Sequence, residues 1–402
     1  MKTIIAHLNM VGFRASVASA KDRTLSGRPF VVGSSRGGRA LVWDVSPEAL
    51  RSGIWPGMAL SLAQRKVKEL VTIAPDTEAY SRANAAIERI VQNYTPAYQN
   101  DRAGNLFLNL TGTQALFGTA IDTTNHICTR ILETTGIGAA AAVGGNKIVT
   151  KVGTRSIRPL GLVHIRDGEE AAFLSHQDIR LMPGVGPSIL RTLSVTGFRE
   201  IGELAALPDN EVLSLLGRRG ILLRDYARGI DTRPVDAAGA GSGALRQRLD
   251  FAEDVIDRDV IGAALASLTE SAALEMRLAK MGAGRIELAA VYADGARVTG
   301  RETGKTLFIL DRDIEAAANR VYDRIATRRL RVRSLGLGLC ALGPLFRAAD
   351  LFVPDEEEKH RSLQAAADKV RVKYGAEKLL KASALAASRI APKLLTGGAD
   401  CG

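Results

Sequence analysis

The feature that most constrains the fold is a run of small residues, DAAGAGSG, at residues 236–243. This run has too little side-chain surface to build a core, and its composition is typical of a flexible linker. Before it, strand and helix patterns mix. RPFVVG (28–33) and RALVWDV (39–45) are predicted to form a hairpin, and Ser46 is predicted to cap the helix that follows. Residues 171–235 then show only short helices. After it, a separate α+β domain is predicted, with helices at about 257–281 and 312–327 and strands at 245–251, 284–293, 296–301 and 330–339.

Composition narrows the class of protein. The chain has 402 residues, of which 46% are hydrophobic, and no apolar run is long enough to span a bilayer. Its three cysteines, Cys128, Cys340 and Cys401, lie far apart. This spacing argues against a disulfide framework or a cysteine-rich zinc site and suits a reducing cytoplasm.

The charge balance points to a class of partner. Lysine and arginine number 54 against 43 acidic residues, which leaves a net charge of +11. A basic chain of this size favours a polyanionic partner such as nucleic acid. The alternative is a basic surface that is simply solvated.

The first predicted strand ends where a helix begins, a position at which catalytic side chains are common, but this segment has few polar side chains. Apolar residues 4–6 lead into HLNMVGFRASV, and a helix begins directly afterwards. His7 and Asn9 are the only polar side chains before Arg14, and the segment contains no carboxylate.

Two patterns predict contact with DNA. Gly184, Val185 and Gly186 lie between helical runs, as in a helix–hairpin–helix whose backbone N–H groups and nearby Arg191 meet a phosphate. The alternative is an ordinary turn between helices. Strand alternation also predicts two arginine-bearing faces, each of which a phosphate backbone would neutralise. Their members are Arg297 and Arg301 on one strand, and Arg329, Arg331 and Arg333 on another.

Several segments, in this order, resemble the Y-family translesion DNA polymerases of the bacterial DinB and UmuC types. They include RPFVVG, SGIWPGMALSLAQ, FLNLTG, AVGGNKIVTKVGT, PGVGPSILRTLSVTGFREIGELAAL and ARGIDTRPV. The resemblance implies an α+β, right-hand architecture. It comprises a palm at 1–170 with fingers inserted at about 20–80, a helical thumb at 171–235, the linker, a little finger at 244–345 and a helical tail at 346–402.

The resemblance also shows substitutions at the reaction centre. The family transfers nucleotides with two Mg²⁺ ions, which need anionic oxygen ligands. The carboxylate positions fall on Asn9, Val11, Gly104 and Asn105. The triphosphate and sugar positions fall on Pro47, Leu50 and Arg14, and only Arg158 keeps the family's basic character. We therefore expect no metal site and no cofactor.

These observations predict a cytoplasmic, catalytically inactive paralogue that binds primer–template or damaged DNA. Its role would be accessory, in the SOS response and translesion repair, alongside other mutasome or repair proteins. Two alternatives remain: an active error-prone polymerase that uses Asp101 or backbone carbonyls to hold its metal, and a regulatory binder that excludes active polymerases from DNA ends. A weak sliding-clamp motif is also predicted at Leu351 and Phe352 of AADLF; the alternative is that both side chains pack on their own domain.

Overall fold

The computed structural model describes residues 2–33, 40–235, 244–345 and 355–375, together with Leu379. The predicted linker and the predicted clamp-binding residues lie outside the described residues. The chain divides into two compact units whose boundary falls within that linker.

Strands and helices are numbered in chain order within the described residues. The strands are β1 (Ile5–Asn9), β2 (Phe30–Gly33), β3 (Val42–Val45), β4 (Val71–Ile73), β5 (Tyr98–Arg102), β6 (Asn105–Asn109), β7 (Ala140–Gly144), β8 (Gly161–His164), β9 (Ala244–Val255), β10 (Met281–Tyr292), β11 (Arg297–Phe308) and β12 (Val332–Pro344). The helices are α1 (Phe13–Lys21), α2 (Pro47–Arg51), α3 (Leu60–Lys66), α4 (Thr77–Gln92), α5 (Gln114–Phe117), α6 (Ala120–Thr135), α7 (Lys147–Ser156), α8 (Glu170–Ser175), α9 (Pro187–Val195), α10 (Ile201–Ala206), α11 (Asp209–Leu216), α12 (Arg218–Ala227), α13 (Arg258–Leu278), α14 (Asp311–Ile325) and α15 (Asp355–Tyr374).

The first unit is built on a five-stranded sheet in the order β5-β6-β1-β7-β8. The central strand, β1, is buried along its whole length. Side chains alternate across a strand, so Ala6 and Leu8 enter the core that contains Ile127 of α6, while His7 and Asn9 lie on the opposite face. Helix α7 contacts β1 and β7 on that opposite face. The end of β1 is therefore covered by protein on both sides.

A smaller sheet, β3-β2-β4, belongs to the same unit. Its antiparallel β2–β3 pair confirms the predicted hairpin, and Ser46 caps α2 by accepting a hydrogen bond from the Ala49 N–H. The Asp44 carboxylate accepts hydrogen bonds from the backbone N–H groups of Arg14 (2.8 Å) and Ala15 (3.3 Å). Burial raises the pKa of Asp44, although these hydrogen bonds act in the opposite direction. This buried contact joins the small sheet to the start of α1.

Residues 170–227 form five short helices, α8 to α12, as the sequence predicts. One detail differs: the run before Gly184 is a three-residue 3-10 turn, Ile179–Leu181, instead of a full helix. The Arg199 carbonyl accepts a hydrogen bond from the Ile179 N–H, and the Asp178–Arg180 turn ends the run early. Buried Leu193, Leu204 and Leu223 pack these helices onto α7.

The second unit is a four-stranded antiparallel sheet, β11-β10-β12-β9, with α13 and α14 packed on one face. The predicted elements are confirmed, but several strand boundaries are wrong. Strand β9 ends at Val255 instead of residue 251, β10 begins at Met281 instead of residue 284, and β12 ends at Pro344 instead of residue 339. Strand β11 continues to Phe308, because pairing with β10 extends beyond the residues that sequence alternation marked. Strand β12 begins at Val332, where pairing with β9 and β10 starts, instead of at residue 330.

Helix α15 packs on this unit through charged side chains. Arg371 contacts Asp311 and Glu270, each at 3.1 Å, and Asp368 binds Arg277 at 2.6 Å. Arg277 also contacts Asp311 at 2.8 Å, so the network joins α13, α14 and α15. All five side chains are at least 85% buried, and buried ions are stable only when each finds an opposite partner.

We expect Arg371→Ala to destabilise the second unit by about 3–5 kcal/mol, because it removes the cation shared by two buried carboxylates. Hydrogen exchange of peptides from α13 and α14 measures this unit alone, whereas both tryptophans, Trp43 and Trp55, report on the first unit. Lys369→Ala, an exposed change on the same helix, is the matched control and should change stability by less than about 0.5 kcal/mol. Equal exchange in the two variants would contradict a stabilising network.

Candidate active site and nucleic-acid interface

The ends of β1 and β6 bring two of the predicted site residues together. Asn9 pairs with Asn105 across the two strands. In the amide orientation that satisfies its neighbours, Asn9 donates to Asn105 Oδ1 at 3.2 Å and its oxygen accepts from Arg158 Nε (3.1 Å) and Nη2 (2.9 Å). The family pattern has carboxylates at these positions. This chain has two neutral amides there, and the Arg158 guanidinium contacts one of them.

Gly104 occupies the turn between β5 and β6 in a conformation that excludes most side chains. Its φ is +75°, and a Cβ at this position would lie 2.7 Å from the ring of buried Phe13. The turn is held from both sides, because the Gly104 carbonyl accepts from the Met10 N–H at 2.8 Å and its N–H donates to Asn84 Oδ1 at 3.1 Å. Asn84 is a site-supporting residue that sequence reasoning missed.

We expect Gly104→Ala to destabilise the first unit by more than the cost of its positive φ alone, because the new methyl group must displace Phe13. Gly27→Ala is the matched control, since Gly27 has a φ of +74° with no atom within 4 Å of the added Cβ. The difference between the variants in the unfolding free energy, followed by tryptophan fluorescence, should be about 1–3 kcal/mol. Equal losses would show that the Phe13 contact is unimportant.

A basic stripe on α7 faces the same part of the sheet. Lys147, Lys151 and Arg155 recur every four residues, and the first two each lie 5.6 Å from the centre of the Phe107 ring. Lys151 binds the Asp101 carboxylate at 2.6 Å. Asp101, the carboxylate of the active-polymerase alternative, therefore has a cation beside it. The four-residue spacing was visible in the sequence and would have predicted this stripe.

His7 is buried beneath these cations. Its Nδ1 lies 2.7 Å from Thr154 Oγ1, and Thr154 itself donates to the Lys151 carbonyl, so Nδ1 is the donor in that contact. Burial lowers the pKa of His7 well below its ordinary value, and Lys151, Arg155, Arg158 and Arg102 lower it further. The imidazole is therefore neutral and adds no charge to the site.

The two predicted triphosphate positions lie on α2, and neither has a basic side chain. Pro47 is the first residue of that helix, and Leu50 is 54% exposed. Arg14 lies with its guanidinium 5.8 Å from the centre of the Trp43 ring. These three positions thus differ from the family pattern in charge, shape or both.

The G-V-G turn lies at the start of α9. Gly184 is exposed and has a φ of +92°, while Gly186 caps the helix and Pro187 begins it. Arg191 is exposed one turn along α9. The helix start therefore presents backbone N–H groups and a cation to solvent, an arrangement that suits a phosphate.

The sheet of the second unit has one face without a helix. Strand register places Arg246, Gly338, Glu287 and Arg301 in one row across that face. Neighbouring rows add further charges of both signs, and the register of β11 places Arg297 and Arg301 on this face. We call the surface the open face; its charged members are Arg246, Arg248, Arg285, Arg297 and Arg301 with Glu287 and Asp250. The alternation in ALRQRLD could have revealed Arg246 and Arg248.

The prediction that Arg329, Arg331 and Arg333 share a strand face is wrong. Strand β12 begins at Val332, so the first two arginines precede it. Arg331 donates to the Asp254 backbone carbonyl at 3.5 Å, and the Arg333 guanidinium lies 3.6 Å from the Asp254 carboxylate. Arg333 also donates to the Ala293 carbonyl. Contacts within the chain therefore take up two of these three side chains.

Comparison with known proteins identifies the family. Residues 8–155 match the impB/mucB/samB family, and residues 248–351 match the C-terminal domain of the impB/mucB/samB family. A DNA polymerase IV from Halorhodospira halophila is 31% identical over 348 residues, which cover 87% of this chain and 98% of that protein. The chain is a member of the Y family of DNA polymerases.

Solved structures agree on the fold of this Y-family protein. The Y-family DNA polymerase chimera Dbh-Dpo4(243-245)-Dbh has a TM-score of 0.72 at 20% identity and covers 85% of this chain and 100% of its own. The insertion ternary complex of Dbh DNA polymerase has a TM-score of 0.65 with the same identity and coverage. The predicted palm, fingers, thumb and little finger are confirmed as the architecture, while their boundaries stay predictions.

The expectation that the protein has no cofactor is wrong. Its relatives across nearly the whole chain are DNA polymerase IV enzymes, and Mg²⁺ is the cofactor of that activity. Substitution of ligands does not by itself remove a metal from a family member. Among the described residues, no group of three or more His, Cys, Asp or Glu side chains is placed to hold a metal ion. The described helices are also too short or too polar to cross a membrane.

Proposed function

We propose that this Y-family protein binds primer–template or damaged DNA in translesion repair and does not itself extend primers. The observation that carries the second part is the contact of Arg158 with Asn9 beside Asn105. Two-metal nucleotidyl transfer needs anionic oxygens that hold two dications close together. A guanidinium at that place repels a dication, and amide oxygens attract it far less than carboxylates do.

The open face supports the first part of the proposal. Gly336 and Gly338 leave its centre without side chains, and arginines lie on the two edge strands, β9 and β11. Arg246, Arg248, Arg285 and Arg301 alone exceed the two carboxylates there, and the carboxylates already have partners: Glu287 contacts Arg246 at 3.1 Å, and Asp250 contacts Arg248 at 2.7 Å. Positive charge therefore remains for a phosphate backbone. The exposed start of α9 offers a second phosphate contact in the other unit.

An active polymerase is the second candidate, because the chain is 31% identical over nearly the full length of a DNA polymerase IV. Primer extension with Mg²⁺ separates the two candidates. We expect no template-directed product from the wild-type protein. Extension that disappears in Asp101→Ala, with the fold retained, would establish the active enzyme and overturn our proposal. Adding the protein to an active polymerase separates an accessory role from a regulatory role. An accessory protein leaves primer extension by that polymerase unchanged or increases it, whereas a regulatory protein inhibits it.

DNA binding is expected to fall steeply with salt, because each phosphate contact releases counterions. Replacing Arg248 and Arg301 by alanine should reduce the slope of log affinity against log salt by about two, with a similar loss on every DNA sequence. Fluorescence anisotropy of a labelled primer–template measures both effects. Arg312→Ala, on α14 and hence on the covered side of the sheet, is the matched control. An unchanged slope in the folded double variant would remove the open face from the DNA path.

The sliding-clamp contact and other repair partners also stay proposals. Leu351 and Phe352 could fill an apolar pocket on a clamp, although Ala348 replaces the polar residue that usually leads such a motif. Loss of clamp binding in Phe352→Ala would support this contact. A location in the cytoplasm and a link to the SOS response also stay proposals, and both rest on the family resemblance that implies the repair role.

A further inference from the structure

The start of α1 is capped by a side chain from another element. Gly12 precedes this helix and has no side chain with which to cap it. The Asp44 carboxylate of β3 takes that role, because its Oδ2 accepts hydrogen bonds from the N–H groups of Arg14 (2.8 Å) and Ala15 (3.3 Å). Its second oxygen, Oδ1, accepts from the Val45 N–H at 3.0 Å. Backbone donors therefore hold both oxygens of the carboxylate.

The anion at this helix start is supplied by the chain itself. The first N–H groups of a helix have no partner within the helix, and proteins often use them to bind an anion. Asp44 is half-buried, as are Arg14 and Trp43 beside it, so these side chains are open to solvent. A dissolved phosphate that approached the same N–H groups would have to displace the carboxylate and would be repelled by its charge.

A second contact joins β3 to the same residue of α1. The Arg14 guanidinium lies 5.8 Å from the centre of the Trp43 ring, within the range of a cation–π contact. Trp43 directly precedes Asp44 on β3. Two neighbouring residues of one strand thus contact Arg14, one at its side chain and the other at its backbone. Together they hold the small sheet against the start of α1.

These contacts lie where the family resemblance implies a nucleotide. Arg14 falls on the sugar position. Asp44 lies on the strand that leads into α2, whose Pro47 and Leu50 fall on the triphosphate positions. A nucleotide at this place would meet the negative charge of Asp44 and would find no basic side chain at either triphosphate position.

We propose that Asp44 is an internal competitor for phosphate: its carboxylate occupies the start of α1 and excludes the phosphate groups of a nucleotide from it. This inference rests on the proposed function, and it gives a reason for the absence of primer extension that does not depend on metal ligands. It has a consequence of its own. Carboxylates restored at residues 9 and 105 would not restore nucleotide binding while Asp44 remains.

Calorimetric titration with inorganic tripolyphosphate in EDTA tests the proposal on the full chain. The reference protein is Trp55→Phe, in which Trp43 is the only tryptophan and reports on the start of α1. In this background, Asp44→Ala should bind tripolyphosphate about tenfold or more tightly, because the helix start then stabilises the added anion. Asp44→Asn keeps an acceptor oxygen but loses the charge, so its affinity should lie between the two. Binding should change the Trp43 emission with the same midpoint.

Asp122→Ala is the matched control. Asp122 lies in the first turn of α6, where the Thr119 hydroxyl caps the helix by accepting from the Asp122 N–H. Its replacement removes one negative charge without opening a helix start, so this variant should bind tripolyphosphate like the reference protein. If Asp44→Ala does not fold, as judged by circular dichroism, the comparison of Asp44→Asn with Asp122→Ala decides the question.

Two results would overturn this inference. One is equal tripolyphosphate affinity in the reference protein and in the folded Asp44 variants, because a purely structural role would change the free energy of unfolding alone. The other is tighter binding that leaves the Trp43 emission unchanged, since the ligand would then lie elsewhere. Either result, with no primer extension by the wild type, leaves the proposed function intact. Primer extension by the wild type would overturn the proposed function, whereas the affinity comparison decides this inference by itself.

Discussion

The hydrogen bonds between Arg158 and Asn9 determine the chemical character of the palm. β1 is the central strand of its sheet and is buried throughout, so a polar side chain at its end needs a partner within the protein. Asn105 and Arg158 are those partners. A carboxylate pair at these positions would present negative charge to a metal ion, whereas the observed pair presents a guanidinium. The same strand end therefore carries a positive charge in this chain, where the family pattern has carboxylates.

The turn at Gly104 makes this state difficult to reverse by one substitution. Any side chain there meets the buried ring of Phe13, and the backbone is held by Met10 and Asn84. Restoring an aspartate at residue 104 would require α1 to shift, although α1 is also joined to the small sheet through Asp44. The glycine at this predicted ligand position is therefore linked to the packing of α1, α4 and the small sheet.

In the little finger, apolar and charged side chains lie on opposite faces of one sheet. Leu288 and Leu337 point toward α13 and α14, and the alternating positions carry the arginines of the open face. Helix α15 adds a separate buried network centred on Asp311, in which Arg277 and Arg371 serve packing and are withdrawn from solvent. Arginines in this unit consequently have two roles, which burial and ion-pair partners distinguish.

Local patterns in the sequence determined the two-part organisation, the β2–β3 hairpin, the short thumb helices and the amides at residues 9 and 105, because turn residues and hydrophobic alternation act over a few residues. The family resemblance supplied the architecture, but the absence of a cofactor did not follow from substituted ligands. Tertiary structure alone decided that Arg158 reaches Asn9 and that α7 turns its basic stripe to the sheet. It also removed Arg329 and Arg331 from β12, because a strand begins where its neighbours offer backbone partners, and those neighbours are distant in sequence.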